Sequence, residues 1–422
     1  MREMKDSGVE WIGKIPVEWE INKISSVYEN RNIKVTDKDY QPLSVTKKGI
    51  VLQLETAAKT DNGDNRKLIK KNDFVINSRS DRRGSCGISD YDGSCSLINT
   101  VIKPRKNMCN PYYSFVFRSE LFADEFYKWG NGIVDDLWST KWSSMKNIYI
   151  PFPQLSVQNR IADYLDTKCS KIDAIINREQ TVIEKLKEYK LSLITEAVTK
   201  GLNPDVPMKD SGVEWIGEIP VGWECVRAKY VIQKIGDIDH YMPESVESGV
   251  PYLMTGDLKG LTSEINFEIC KKISISDYKK LSKKIKPDLG DIIFARYATI
   301  GTLCYVNIEN EFIVSYSCVI IKTKMGILDG KFLLYYFKSS AFMEDIKQYI
   351  NSNTQGNVGI DSLRRAKIVL PNMFIQQQIA SYLDNKCNGI DSAIAKKQFV
   401  IDKLTEYKKS LIYELVTGKK EV

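Results

Sequence analysis

The chain has 422 residues, 43% of them hydrophobic and 27% charged, a balance that gives two or three real cores and excludes a disordered chain. No run approaches ~18 consecutive apolar residues, and the first residues carry no apolar signal region, so neither a membrane span nor a secretory leader is expected and the protein reads as cytoplasmic. Nine cysteines without a CxxC and a single histidine offer neither metal-ligand spacing nor a disulfide framework, while 61 basic against 54 acidic residues leave a net charge of +7, compatible with a polyanionic partner.

Taken in order, the chain opens on MKDSGVEWIGKIPVEWE at 4–20, and this motif returns as MKDSGVEWIGEIPVGWE at 208–224. Gly8 and Gly13 punctuate it, and Trp11, Ile12 and Trp19 supply the apolar bulk that should pin it to a core. Short apolar runs bounded by Gly, Asn and Asp follow, with strands expected at 41–45, 49–54 and 73–77. Asn110-Pro111-Tyr112-Tyr113 resembles a loop with which amino-methyltransferases hold adenine. Aligning Phe117-Arg-Ser with Phe337-Lys-Ser, however, puts Gly330 and Leu333 opposite Asn110 and Tyr113, so Pro111 reads as the first residue of a helix and the tyrosines as its packing. In the second half, strands are expected at 250–258, 290–296 and 311–321, and a helix or helix pair at 330–349.

Two long segments carry a second repeat, 161–198 and 379–416, in register residue for residue. Ile161, Leu165, Ile172, Ile176, Ile183, Leu186 and Leu193 in the first, and Ile379, Leu383, Ile390, Ile394, Ile401, Leu404 and Leu411 in the second, recur in steps of three, four or seven, the stripe of a helix with one sticky face. At ~1.5 Å per residue each is a rod of ~57 Å, too long to bury in one domain, so the two should pack on each other. Lys190 and Lys408 occupy stripe positions, and local irregularity is expected there. The segments hold twelve basic and twelve acidic residues, which places the whole positive excess outside them. Gly201 and Pro204 end the first helix. The chain thus reads as a first domain at 1–155, a helix at 156–200, a linker at 201–207, a second domain at 208–371 and a helix at 372–422. The fold class is α+β, with two tandem α+β domains each followed by one long helix, and the helices packed as an antiparallel coiled coil.

No phosphate-binding loop or dinucleotide fingerprint is present, and one histidine cannot serve a triad in both halves. What remains are basic and amide-rich loops: Lys47 and Lys48; Arg79, Arg82 and Arg83 after the strand at 73–77; Ser139, Thr140 and Lys141; Arg296, Tyr297 and Thr299 after the strand at 290–296; Asn353, Thr354, Gln355 and Asn357; and Arg364 and Arg365. Arginine pairs bidentately with guanine or phosphate, Asn and Gln with adenine, and Ser and Thr with phosphate, so these are the candidate DNA-binding residues.

The paired DSGVEWIG…IPxxWE motifs, the GDIIFAR strand at 290–296 followed by ATIG at 298–301, and PQLSVQ at 153–158 with PNMFIQ at 371–376, each leading into IAxYLD, carry a resemblance. Together, and over essentially the whole chain, they resemble the specificity subunits of type I restriction-modification systems. Both copies depart from the Pro-Glu-Gln that usually precedes Ile-Ala in that family. The resemblance implies a non-catalytic subunit whose two domains are target recognition domains, each reading one half of a split double-stranded DNA site. It implies that the helices act as spacer and as docking surface for two modification subunits, beside restriction subunits. No cofactor would be its own; S-adenosylmethionine would sit on the modification partner, and ATP and Mg on the restriction partner. The alternatives are a tandem scaffold for a ligand other than DNA, and a free-standing DNA methyltransferase, which would need a cofactor loop and a catalytic motif of its own.

Overall fold

The structure, a computed structural model, describes residues 2–53, 63–132, 138–297, 299–350 and 356–422. The chain divides into two compact units, Met1–Gln180 with Gln398–Val422, and Thr181–Lys397.

In the first unit the opening motif folds as a hairpin, Met4–Asp6 against Lys14–Pro16, and buries Trp11, Ile12, Ile15 and Trp19. Glu20–Lys23 then pairs with Tyr149–Phe152, so the strand entering the globule is tied to the strand leaving it. Between them lies a four-stranded antiparallel sheet in the order Cys86–Ile88, Phe74–Asn77, Asn99–Pro104, Tyr28–Asn30. Strand side chains alternate between faces, and here both faces are covered. Phe74 and Ile76 point into a core shared with Tyr113, Phe117 and Phe122 of the helices Asn110–Arg118 and Glu120–Lys128. Val75 and Val101 join a separate core with Leu43 and Ile50 of the hairpin Leu43–Thr46 and Gly49–Leu52.

The second unit repeats the plan. Glu224–Arg227 pairs with Lys367–Leu370, and the four-stranded sheet runs Ile232–Gly236, Cys318–Thr323, Ile292–Ala295, Leu303–Tyr305. Ile292 and Phe294 face the helices Gly330–Lys338 and Ser340–Lys347, whereas Ile293 and Ala295 face a core with Leu253 and Phe312. The run expected as one strand at 311–321 is split. Ile313–Val314 lies parallel to Val250–Leu253, and Cys318 donates its N–H back to the Ser315 carbonyl before the next strand begins. The second copy of the opening motif is looser, since Trp215 stays 39% exposed where Trp11 packs edge-on against Phe122 at 5.6 Å.

The long helices run Leu155–Lys200 and Met373–Val416, each starting six residues before the repeat segment that it contains. Gln158 and Gln376 anchor these starts. Gln158 is buried; its amide donates to the Pro153 carbonyl at 2.7 Å and accepts from the Cys109 N–H at 2.9 Å, where the 110–118 helix begins. Gln376 repeats this with the Pro371 and Ile327 carbonyls, at 2.8 and 2.9 Å, and the Asp329 N–H at 2.7 Å. Helix Asn110–Arg118 begins at Asn110, with Pro111 second rather than first, a position whose N–H also lacks an intrahelical partner.

Within the first unit the start of the first long helix shares a core with Leu411, Leu415 and Val416 at the end of the second. Within the second unit Ile194, Ala197 and Val198 at the end of the first share a core with Ile379 and Leu383 near the start of the second. The two therefore run antiparallel. Of the stripe residues Ile161, Leu165, Ile172, Ile183, Ile379, Leu383, Ile401 and Leu411 are buried, and Ile176, Leu186, Leu193, Ile390, Ile394 and Leu404 half-buried. Cys169 and Cys387, absent from the expected stripe, fill its gaps. Lys190 and Lys408 bring no interruption of the helix. Lys408 reaches Asp173 and Lys190 reaches Asp391, both at 2.6 Å, two ion pairs related by the 218-residue repeat.

Candidate nucleic-acid interface

The loop after Phe74–Asn77 is held by side-chain hydrogen bonds. Asn77 accepts the Arg79 N–H at 3.0 Å, and Ser78 meets Thr100 at 3.1 Å, so Arg79 leaves the sheet edge and forms a bridge with Ser139. The result is a cleft of about 530 Å³ into which Arg79, Ser139 and Lys141 converge, together with Asn30, Asn32 and Lys67. Lys67 donates to the Asn99 carbonyl at 2.6 Å, and burial pulls its ammonium below the usual lysine range. The other expected residues of this unit are not brought here. Arg83 pairs with Asp124 and donates to the Glu120 carbonyl, Arg82 pairs with Asp81 at 3.3 Å, and the exposed Lys47 and Lys48 form the tight turn of the 43–52 hairpin. Thr140 is fully buried, its hydroxyl donating to the Phe126 carbonyl at 2.7 Å.

The second unit forms the same bridge at equivalent positions, Tyr297 with Asn357, each 218 residues beyond Arg79 and Ser139. Arg296 behind it is 7% exposed and committed inward: its guanidinium donates to Asp237 at 2.6 Å and lies over the Tyr297 ring at 4.7 Å. Thr299 is exposed, as are Arg364 and Arg365 on the short helix Ile360–Arg365, where Arg364 pairs with Asp361 at 3.1 Å. Asn353, Thr354 and Gln355 lie outside the described residues.

Sequence reasoning missed Asn30, Asn32 and Lys67 in one unit and Asp237, His240, Lys284 and Tyr316 in the other. No spacing could have found Asp237 beside Arg296, 59 residues away; the pairing of 232–236 with 318–323, and of that strand with 292–295, brings them together. The Asn110 motif is accounted for structurally. Its amide donates to Asn72, at 2.8 Å to the carbonyl and 3.0 Å to the side chain, and Tyr28 donates to its oxygen. Among the described residues no cluster of three His, Cys, Asp or Glu is placed to hold a metal ion, and no helix is long and apolar enough to cross a membrane.

Comparison with known proteins matches residues 16–185 and 220–400 to the type I restriction modification DNA specificity domain. A putative type I restriction enzyme MjaX specificity subunit of Methanocaldococcus jannaschii is 23% identical, over 97% of this chain and 95% of its own. The type I restriction enzyme MjaVIII specificity subunit of the same organism is 28% identical over 65% and 62%. Among solved structures, a chain from a study of complex assembly and conformational transition of the type I R-M system superposes with a TM-score of 0.70 at 14% identity, covering 96% of this chain and 99% of that one. The HsdS subunit from Thermoanaerobacter tengcongensis gives 0.50 at 15% identity, over 96% and 98%. Two copies of one DNA specificity domain, each built on the same sheet-and-bridge plan, place this chain in the family of type I restriction-modification specificity subunits, DNA-recognition subunits that do no chemistry themselves and work in complex with the other subunits of the system.

Proposed function

We propose that each compact unit reads one half of a split double-stranded DNA target, the first through the cleft around Arg79, Ser139 and Lys141 and the second through the face around Tyr297, Thr299 and Asn357. The observation that carries this reading is the bridge common to both units: the fold position is the same, yet the side chains presented there are Arg and Ser in one and Tyr and Asn in the other. Shared scaffolds with exchanged base-edge chemistry are what two different half-sites require. The long helices, whose repeat segments are neutral in charge, are the docking surface for two modification subunits. S-adenosylmethionine then belongs to that partner, ATP and Mg to the restriction subunits, and the complex works in the cytoplasm where the chromosome is. The test is to replace residues 223–369 with those of a relative of different target and sequence the methylome of cells carrying the complete system. One half of the methylated motif should change and the other persist; a change in both halves, or in neither, rejects the division.

A further inference from the structure

His240, the only histidine of the chain, is held in an unusual way for an exposed side chain. Its imidazole stacks on Tyr316, with ring centroids 5.0 Å apart and planes 21° from parallel, while 61% of the side chain stays exposed. Nε2 lies 3.3 Å from Arg296 Nη2 and 3.6 Å from Asp237 Oδ2. A guanidinium only donates, so in the neutral ring that accepts from Arg296 the proton sits on Nδ1. Arg296 is fixed in turn by Asp237, which is buried and takes Lys284 on its other oxygen at 3.2 Å. One face of the ring is therefore set by Tyr316 and one edge by Arg296 and Asp237. The remaining edge carries a single N–H donor with no protein partner among the described residues.

We propose that His240 is a specificity-determining residue of the second unit, donating Nδ1–H to a base acceptor in the major groove. A donor fixed in direction is matched by guanine N7 or O6, by adenine N7 and by thymine O4, and it is opposed by the N4 donor of cytosine. The ring stands beside Arg296 at the root of the loop that carries Tyr297 and Thr299, so it shares the face assigned to DNA, and the inference rests on that assignment. The cluster exists without sequence contiguity, which is why neither the lone histidine nor the buried arginine pointed to it.

Two variants test the proposal in the assembled system by methylome sequencing. His240→Phe keeps the stack on Tyr316 and removes the donor. Methylation at sites carrying cytosine at one position of the second unit's half-site should rise about tenfold to a hundredfold relative to wild type. His240→Asn, which keeps an N–H near the Nδ1 position, should keep cytosine excluded. An unchanged motif with His240→Phe overturns the proposal, as does a uniform loss at all sites, the mark of a phosphate contact, or a relaxation equal in both variants. If the exchange of 223–369 alters one half-site while His240→Phe alters none, only the role of His240 falls. If that exchange fails, the division of the target falls first.

Discussion

At the scale of single residues, the two copies solve one steric problem in two ways. Asp73 and Asp291 are equivalent, and each accepts the N–H three residues before it, from Lys70 at 2.8 Å and Asp288 at 2.7 Å, closing the turn into the central strand. Each also meets a cation, Arg31 in the first unit and Lys322 in the second. The turn needs positive φ, which Asn72 supplies at 73° and Gly290 at 90°. Against Asn72 the first unit sets Asn110, whose amide binds it; against Gly290 the second sets Gly330, where a Cβ would come within 2.6 Å of the Gly290 carbonyl. Gly330→Ala should therefore destabilise the protein by about 1–3 kcal/mol despite the better helix propensity of alanine, as a lower melting temperature would show. An unchanged or raised melting temperature would mean that the turn yields. This pairing of positions 72 with 110 and 290 with 330 also explains why the adenine-loop likeness was legible as structural: the copy keeps the helix and changes only the residue that meets the turn.

At the scale of elements, helix periodicity and the two repeats were readable from the sequence because a long amphipathic stripe is a one-dimensional signal. The contacts that anchor the helix starts were not. They depend on Gln158 and Gln376, whose partners at Cys109, Ile327 and Asp329 lie about fifty residues away and meet them only in the folded globule. Nor did the stripe predict that Lys190 and Lys408 would be accommodated by ion pairs. Those pairs are half exposed and contribute about 1 kcal/mol or less each, so they mark the antiparallel register more than they hold it. The glutamines matter more for rigidity, because each ties a recognition globule to the first turn of its helix. Gln376→Leu fills the same space but leaves the Asp329 N–H and two carbonyls without their partner. It should cost about 3 kcal/mol in chemical denaturation. A loss below about 0.5 kcal/mol would show that water replaces the amide and that the joint is looser than its hydrogen bonds suggest.

At the scale of the whole molecule, the alternation of faces on each central strand decides what the rest of the globule can do. Phe74 and Ile76, like Ile292 and Phe294, commit one face to the helix pair. Val75, Ile293 and Ala295 commit the other to a second core, so only strand ends and their loops are left for a ligand. Composition singled out loops of that kind in the sequence, but it could not say which side chains leave the surface: Thr140 and Arg296 turned inward, while Lys67 and His240 came into the faces from elsewhere.

Charge follows the same division, since the long repeats are neutral and all of the +7 lies outside them. Binding of the assembled complex to its target should therefore weaken steeply with salt, by about a thousandfold or more between 50 and 200 mM if six or more phosphates are neutralised. Other subunits of the complex would add to that slope, so the informative measurement is a difference. Lys141 lines the cleft of the first unit and is exposed, and we propose it as a phosphate contact. Lys141→Gln should lower affinity for every target sequence alike and reduce the log–log salt slope by about one, with the methylated motif unchanged. A slope identical to wild type would remove this cleft from the DNA path, and a changed motif would make Lys141 a reader of bases instead.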